Sequence, residues 1–420
     1  MDYTVSKETR AAYDLVLSLP EVREALAYVK EDYAFSLKEH KEFIACEAPT
    51  YHEEARAKLY ADRLAAYGLE DVTVDKNSNV TALWRGEGDG PTIMIEAHLD
   101  TVFPFGSVKE IVDNGTEIHA PGATDDTRGL TSLLAALRAM KHAGIKTKGN
   151  ILFAGTTREE GTGGFGGMKD LVAAHPEIDG SISVDGASCE TVTCEATGMR
   201  TYTVTFHGIG GHAFSSFGSV ANPLHAAARA VAKIADFQVA DFPRTTFAVT
   251  NFHAGNDAGI HAIVPEAVIK FNFRSNDQEL LLDLDKRIFD AIQEACDEET
   301  ARWGKDTITW DCIRHIDVCA GSEDRHLPIV EATVLACQEF SGVPDEVVIR
   351  EGGNVNGNVA IAAGIPCVTI GGGRLNQCIH SLKEFFPYTE GWRLPQEAVA
   401  LLCLTAGVAG KSEPIVPRRH

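Results

Sequence analysis

Short apolar runs alternate with helical patterns over roughly residues 72 to 184, and this alternation constrains the fold more than any other feature. The run at 150–155 is continuously apolar, which is typical of a strand buried on both faces of a parallel sheet. A pattern of helical period at 129–142 precedes it, and further strands are predicted at 92–97 and 180–184. Strands that are separated by helices in this way predict an α/β fold with a mostly parallel sheet.

The pattern changes between residues 198 and 319. Here a strand is followed by a helix at 222–237, two strands, a helix at 278–302 and a last strand that starts at Asp306. The order βαββαβ is that of the ferredoxin-like α+β unit. The α/β pattern resumes near residue 321. We therefore predict a catalytic domain formed by residues 1–197 and 320–420, with residues 198–319 as an inserted domain.

Composition limits the partners of the chain. Its 420 residues carry a formal net charge of -22, so nucleic acid and anionic membrane surfaces are not expected to bind. The ten cysteines include no C-x-x-C pair, and the first residues lack the basic-then-apolar order of a signal peptide. We expect reduced thiols and a cytoplasmic protein.

Polar side chains follow several of the predicted strands. His98 and Asp100 end one strand and lie two residues apart, which places both on the same face. Similar positions hold further acidic and imidazole groups, namely Asp125, Glu159, Glu160, Asp185 and His380. Because parallel strands present their carboxyl ends at one edge, we expect these groups to gather there.

Each group also has a structural explanation when it is considered alone. Asp125 and Asp126 precede a helix and suit the capping position, and Glu159 and Glu160 could form an exposed pair. Together, two imidazoles and several carboxylates without a thiolate suit one or two ions such as zinc, manganese or cobalt. A carboxylate left over beside such ions would be the natural general base for water.

These motifs, together with the segment from Glu47 to Glu54, resemble the M20 family of dinuclear metallopeptidases, and most of all its peptidase T-type aminopeptidase and dipeptidase branch. The resemblance implies a zinc-peptidase-like α/β domain with an inserted dimerisation domain. It implies two divalent cations per chain, with zinc first and manganese or cobalt as alternatives, and a cis peptide after the bridging aspartate. The implied ligands are Asp125 as the bridge, His98 and Asp185 on one ion, and Glu160 and His380 on the other.

The resemblance assigns further roles. Asp100 would orient His98, and Glu159 would be the base that deprotonates a water bridging the two metals. His212, in Gly210-Gly211-His212, would reach the partner subunit's active site in a homodimer, and Arg274 would bind a substrate carboxylate. Both residues also fit structural roles, as a loop histidine and as one partner of an ion pair. Asn354 and Asn356 lie in a loop that departs from the family pattern and are predicted to contact substrate.

The reaction that the resemblance implies is hydrolysis of a peptide bond in a di- or tripeptide. Asp instead of Glu at position 185 resembles the peptidases of the family more than its N-acyl amino acid deacylases. Removal of an acyl or carbamoyl group from an N-substituted amino acid is the alternative. A more distant alternative comes from Gly161-Thr-Gly-Gly-Phe-Gly166, which fits the G-x-G-x-x-G pattern of nucleotide-binding oxidoreductases. The negative charges of Glu159 and Glu160 would stand beside the pyrophosphate, which is unfavourable.

Overall fold

The computed structural model describes residues 3–303, 308–373 and 378–419. Contacts within the chain divide it into two compact units. Met1–Ala196 and Ser322–His420 form the first unit, and Thr197–Gly321 form the second. Across these residues, no helix combines the length and the apolar character needed to cross a membrane.

Helices and strands occupy most of both units. The helices are α1 (Lys7–Ser18), α2 (Pro20–Glu31), α3 (Tyr33–Ala45), α4 (Glu54–Ala66), α5 (Thr127–His142), α6 (Gly166–Ala174), α7 (Pro223–Ala235), α8 (Gln278–Trp303), α9 (Pro328–Phe340), α10 (Gly357–Ala362) and α11 (Arg393–Ala406). The strands are β1 (Glu70–Val74), β2 (Val80–Trp84), β3 (Thr92–His98), β4 (Val112–Asp113), β5 (Glu117–His119), β6 (Asn150–Thr156), β7 (Ile178–Ser188), β8 (Thr191–Thr193), β9 (Glu195–Ala196), β10 (Gly198–His207), β11 (Gly211–His212), β12 (Thr245–Ala254), β13 (Ala262–Ile263), β14 (Glu266–Ser275), β15 (Thr309–Val318), β16 (Gly321–Ser322), β17 (Val348–Arg350), β18 (Cys367–Gly373) and β19 (Phe385–Pro387).

The first unit is built on a sheet with the strand order β1-β2-β6-β3-β7-β18-β8-β17. Its central strands β6, β3, β7 and β18 are parallel, whereas β1, β2 and β6 pair antiparallel. Strands β3 and β6 are buried at every position after the first, because helices cover both faces of the sheet. The predicted mostly parallel sheet is therefore confirmed. The carboxyl ends of its central strands lie at one edge.

Helices α5 and α11 form the centre of the helical layer on one face. Every residue of α11 from Leu394 to Ala406 is buried, so this helix lies in the core of the unit. The helix ends before Gly407, whose φ of 71° is left-handed. Helices α1 to α3, which the sequence pattern did not identify, pack on α5, α9 and α11.

The second unit has an antiparallel sheet in the order β12-β14-β10-β15. Helices α7 and α8 pack on one of its faces, and β14 alternates buried and more exposed residues, as a half-covered strand should. This is the ferredoxin-like arrangement that the sequence predicts. The predicted start of the last strand, Asp306, lies outside the described residues, and β15 continues to Val318.

Candidate metal centre

Asp125 lies between two histidines that come from distant parts of the chain. Its Oδ1 is 2.8 Å from Nε2 of His98, and its Oδ2 is 3.0 Å from Nε2 of His380. His98 is the last residue of β3, and Asp125 lies in the loop before α5. His380 has a left-handed backbone with φ of 65°, a conformation that costs a non-glycine residue about 1 kcal/mol or more. One carboxylate thus presents a separate oxygen to each imidazole.

Glu160 completes a cluster of donor atoms. Its Oε1 is 2.8 Å from Nε2 of His380, and one donor atom each of His98, Asp125 and Glu160 lie within 4.8 Å of one another. All three side chains are buried. Imidazole and carboxylate groups without a thiolate are ligands suited to zinc, manganese or cobalt. The donor set therefore fits divalent cations.

The two histidines are strongly polarised by these carboxylates. Burial acts to lower the pKa of His98, but hydrogen bonds to Asp100 and Asp125 raise it well above its usual value. Hydrogen bonds to Asp125 and Glu160 raise the pKa of His380 to about 10. Although burial opposes the change, the same histidines lower the pKa of Asp125. The surrounding carboxylates thus favour positive charge at this position.

Glu159 is the buried carboxylate beside this cluster. Burial raises the pKa of Glu159 well above its usual value, and the negative charges of Asp185, Glu160 and Asp100 add to the increase. The described residues provide no hydrogen-bond donor for its carboxylate, although its backbone N–H donates to Asp100. Asp185 is also buried, and its charge raises the pKa of both Asp126 and Glu159. Glu159 therefore has the environment of a group that exchanges protons.

Asp100 faces the His98 ring and also binds the turn that carries the two glutamates. The His98 Nδ1 lies 3.0 Å from the backbone carbonyl oxygen of Asp100 and 3.6 Å from the nearer carboxylate oxygen. The carbonyl is therefore the main acceptor for the imidazole. The carboxylate instead accepts the backbone N–H groups of Glu159 and Glu160, each at 3.0 Å, and the hydroxyl of Thr50 at 2.9 Å. Asp100 thus fixes the turn that presents both glutamates.

Asp125 and Asp126, which precede α5, make different contacts. Asp126 caps the helix, because its Oδ1 accepts the N–H of Gly129 at 3.0 Å, and its Oδ2 accepts the N–H of His98 at 3.1 Å. Asp125 faces the histidines instead. The peptide bond between them is cis. The capping explanation from the sequence therefore applies to one member of the pair and the ligand explanation to the other.

Glu384 is a functional candidate that the sequence analysis missed. It is fully buried, and its Oε1 accepts the backbone N–H groups of Thr124 at 2.7 Å and Asp125 at 3.0 Å. Its Oε2 accepts the N–H of Gly122 at 3.1 Å. Burial raises the pKa of Glu384 to about 7. In the sequence, the only indication of a role for Glu384 is its position four residues after His380. Its hydrogen-bond partners lie some 260 residues away, so no local pattern predicts them.

The predicted substrate residues have different surroundings. His212 and Arg274 are exposed in the second unit, at β11 and near the end of β14. Asn354 is partly buried in the first unit. Asn356 is 1% exposed, and its amide nitrogen donates to Glu96 at 2.9 Å and to Thr156 at 2.8 Å. These acceptors engage the amide nitrogen of Asn356, whereas its Oδ1 is buried without a hydrogen-bond partner among the described residues. Contact of Asn356 with substrate stays a prediction.

The glycine-rich segment 161–166 has a packing explanation. A Cβ atom at Gly163 would lie 2.3 Å from the backbone oxygen of Arg158, so the tight approach of the two backbones needs glycine. The segment leads into α6, whose first residue is Gly166. Glu160 immediately precedes it and is hydrogen-bonded to the metal-centre histidine. The glycines therefore need no bound nucleotide to account for them.

The sequence profile of peptidase family M20/M25/M40 matches residues 94–401, which is most of the chain. This chain belongs to that family. The M20 protein is 27% identical over 354 residues to a succinyl-diaminopimelate desuccinylase of Pseudomonas syringae pv. syringae, covering 78% of the chain and 87% of the relative. The nucleotide-binding alternative is therefore replaced by an M20 hydrolase, as the resemblance predicts.

Solved structures resemble the M20 protein over most of its length. A tripeptidase from Staphylococcus aureus has a TM-score of 0.71 and 23% identity, covering 87% of this chain and 96% of that one. The aminopeptidase PepT of Bacillus cereus has a TM-score of 0.72 and 22% identity, with the same two coverages. At these identities the likeness establishes the fold. It confirms the predicted zinc-peptidase-like architecture with its inserted ferredoxin-like unit.

Proposed function

We propose that this M20 protein hydrolyses a peptide bond in a small peptide with the help of two divalent cations. The observation that supports two cations is the position of Asp125, which offers one oxygen towards His98 and the other towards His380. His98 and Asp185 would hold one cation, and Glu160 and His380 the other. Cations held there would polarise the scissile carbonyl and lower the pKa of a water molecule.

Glu159 is the proposed general base. Its carboxylate is buried beside the cluster, and burial raises its pKa above the usual value, which favours acceptance of a proton. It would take a proton from the attacking water and pass it to the nitrogen of the leaving amine. Asp100 supports this role because it accepts the backbone N–H of Glu159 and thereby fixes where the side chain begins.

His212 is the proposed donor to the oxyanion, acting from the inserted unit of a homodimer partner. The Nδ1 of His212 accepts the backbone N–H of Phe214 at 3.2 Å. In a neutral ring the proton then resides on Nε2, which leaves that nitrogen free to donate to an oxygen. Arg274 is the proposed ligand of a substrate carboxylate, since its guanidinium is exposed and geometrically suited to that group.

Hydrolysis of an N-acyl amino acid is the second candidate. Sequence relatives with the printed name succinyl-diaminopimelate desuccinylase favour it, including one from Leptothrix cholodnii that is 28% identical over 291 residues. The same amide chemistry serves both reactions, because the base and the cations act on the carbonyl and the nitrogen whatever group flanks them. The two candidates therefore differ in the groups that bind either side of the scissile bond.

A substrate panel separates the two candidates. Protein reconstituted with zinc, manganese or cobalt would be given di- and tripeptides alongside N-acetyl, N-succinyl and N-carbamoyl amino acids. The peptide proposal expects kcat/KM for the best peptide to exceed that for every N-acyl substrate by at least about tenfold. The reverse order would establish the second candidate. No turnover of any panel member would overturn both candidates.

A further inference from the structure

A large cavity in the first unit is lined partly by Glu384, the residue whose carboxylate accepts the backbone N–H of Asp125. Its volume is about 820 Å³, which is within the range of small-molecule binding sites. Three chain segments line it, at 104–112, 119–121 and 382–385. The first begins four residues after Asp100, the second ends four residues before Asp125, and the third begins two residues after His380. Each wall thus lies within a few residues, along the chain, of a residue in the candidate metal centre.

The walls of this cavity are held in place by hydrogen bonds to two glutamates, one of which also supports the candidate metal centre. The carboxylate of Glu47 accepts the backbone N–H groups of Gly106 at 2.8 Å and Val108 at 2.7 Å, which fixes the first wall. Glu384 joins the other two, since its backbone oxygen accepts the N–H of Ala120 while its side chain holds the loop of Asp125. The cavity is therefore a built feature of the fold.

The lining combines an apolar surface with unpaired positive charge. Phe105 and Leu382 are 61% and 69% exposed and lie together at this cavity. Lys109 and Lys383 also line it, and neither has an ion-pair partner among the described residues. The acidic lining residues are the exposed Glu110 and the buried Glu384, so the exposed charged groups carry a net positive charge in a chain whose own net charge is -22.

We propose that this cavity binds the part of the substrate that carries a second carboxylate on a short aliphatic chain. The apolar surface would cover the methylene groups, and Lys109 and Lys383 would pair with the carboxylate. The inference rests on the proposed amide hydrolysis and narrows its substrate class to acidic substrates. The carboxylate can belong to the acyl group, as in a succinyl amide, or to the amine side, as in a peptide that ends in glutamate.

Two matched pairs of substrates distinguish these sources. N-succinyl-L-alanine would be compared with its terminal amide, and L-alanyl-L-glutamate with L-alanyl-L-glutamine. One of the two pairs carries its acidic group in the cavity. For that pair, the wild-type protein is expected to have a higher kcat/KM for the acid than for the amide. In the double variant Lys109→Met and Lys383→Met, kcat/KM for that acid should fall about five- to tenfold, the effect of losing two partly solvated ion pairs. Its amide should change less than twofold.

A matched control uses two lysines outside the cavity. Lys38 and Lys76 are exposed and have no ion-pair partner among the described residues. The double variant Lys38→Met and Lys76→Met should retain the acid preference of the wild type. An equal loss of kcat/KM for acid and amide, or an unchanged preference in the Lys109 and Lys383 variant, would overturn the proposal.

Calorimetry provides a readout that does not depend on turnover. The zinc-loaded protein should bind succinate about five- to tenfold more tightly than succinamate, and this difference should vanish in the Lys109 and Lys383 variant. Equal binding of the two probes by the wild type would refute the carboxylate site. If the difference is present but no amide is cleaved, the proposed function fails and the site stands. If amides are cleaved without any lysine-dependent preference, only the site fails.

Discussion

The carboxylate of Glu384 accepts the backbone N–H of Asp125 at 3.0 Å, although the two residues lie 259 positions apart in the chain. The same carboxylate binds two further N–H groups of the loop, so three donors converge on one buried acidic group. A carboxylate is an acceptor at both oxygens and suits such a loop better than an amide does. Glu384 thereby fixes the position from which Asp125 reaches both histidines.

Replacing Glu384 by glutamine should loosen this loop. The amide nitrogen cannot accept an N–H, so at least one buried donor loses its partner, and the free energy of unfolding should fall by about 1–3 kcal/mol. Metal affinity, measured by chelator competition, should fall in parallel. Glu323→Gln is the control, because Glu323 also accepts a backbone N–H, that of Cys367 at 3.1 Å. Unchanged metal affinity in Glu384→Gln would contradict a positioning role.

Asp100→Ala tests whether the turn after β6 depends on the carboxylate of Asp100. The backbone N–H groups of Glu159 and Glu160 would lose their acceptor, while the carbonyl that faces His98 would remain. We expect metal affinity or kcat to fall about 10- to 100-fold, with metal still bound when it is supplied in excess. Elemental analysis and steady-state kinetics measure the two quantities. A variant that cannot be loaded at all would mean that Asp100 holds His98 directly.

Glu159→Ala should abolish turnover without emptying the metal centre. General base catalysis contributes about 10²- to 10⁴-fold to rate, so kcat should fall at least by that factor. The cation content should match that of the wild type because Glu159 is not among the proposed ligands. Activity within a few fold of the wild type would show that another group accepts the proton.

Metal stoichiometry distinguishes the bridging aspartate from the other ligands. Elemental analysis after reconstitution and desalting should find two ions per chain in the wild type. His380→Ala should retain about one ion, and Asp125→Ala should retain fewer than one. Asp125→Ala loses more because, of these two residues, only Asp125 would contact both ions. Asp170→Asn is a suitable control, since Asp170 pairs with Arg158 on the surface. About one ion or fewer per wild-type chain, after reconstitution with zinc, manganese and cobalt in turn, would end the dinuclear proposal.

Glu397 should make the folded state less stable as pH rises. It is buried on α11 with the thiol of Cys337 3.1 Å away, and burial raises its pKa to about 8 from 4.5. Between pH 4.5 and about pH 8, Glu397 keeps its proton in the native state and releases it in the unfolded chain. The free energy of unfolding is therefore highest below pH 4.5 and declines up to about pH 8. Denaturant titrations should show this decline, on the order of a few kcal/mol, reduced in Glu397→Gln. Exposed Glu31→Gln should keep the wild-type slope.

Much of the fold follows from local pattern. The continuous apolar run at 150–155 became β6, and the βαββαβ order gave the ferredoxin-like unit. These patterns have the periods of single strands and helices, so they need no information from distant residues. Helices α1 to α3 were missed, although their apolar residues pack on α5, α9 and α11. Nothing in the strand–helix alternation of the sheet requires them.

The sequence by itself predicted that His98, Glu160 and His380 lie close together, because each ends or follows a strand of a parallel sheet whose carboxyl ends share one edge. It placed Asp125 with them only through its position in the loop before α5. Only the tertiary structure decided what each acidic group does. It separated the contacts of Asp125 from those of Asp126, showed that the Asp100 carboxylate binds the turn of Glu159 as well as facing His98, and placed the amide nitrogen of Asn356 against Glu96. Hydrogen-bond partners are set by distances between atoms of remote segments, and no local period in the chain encodes those distances.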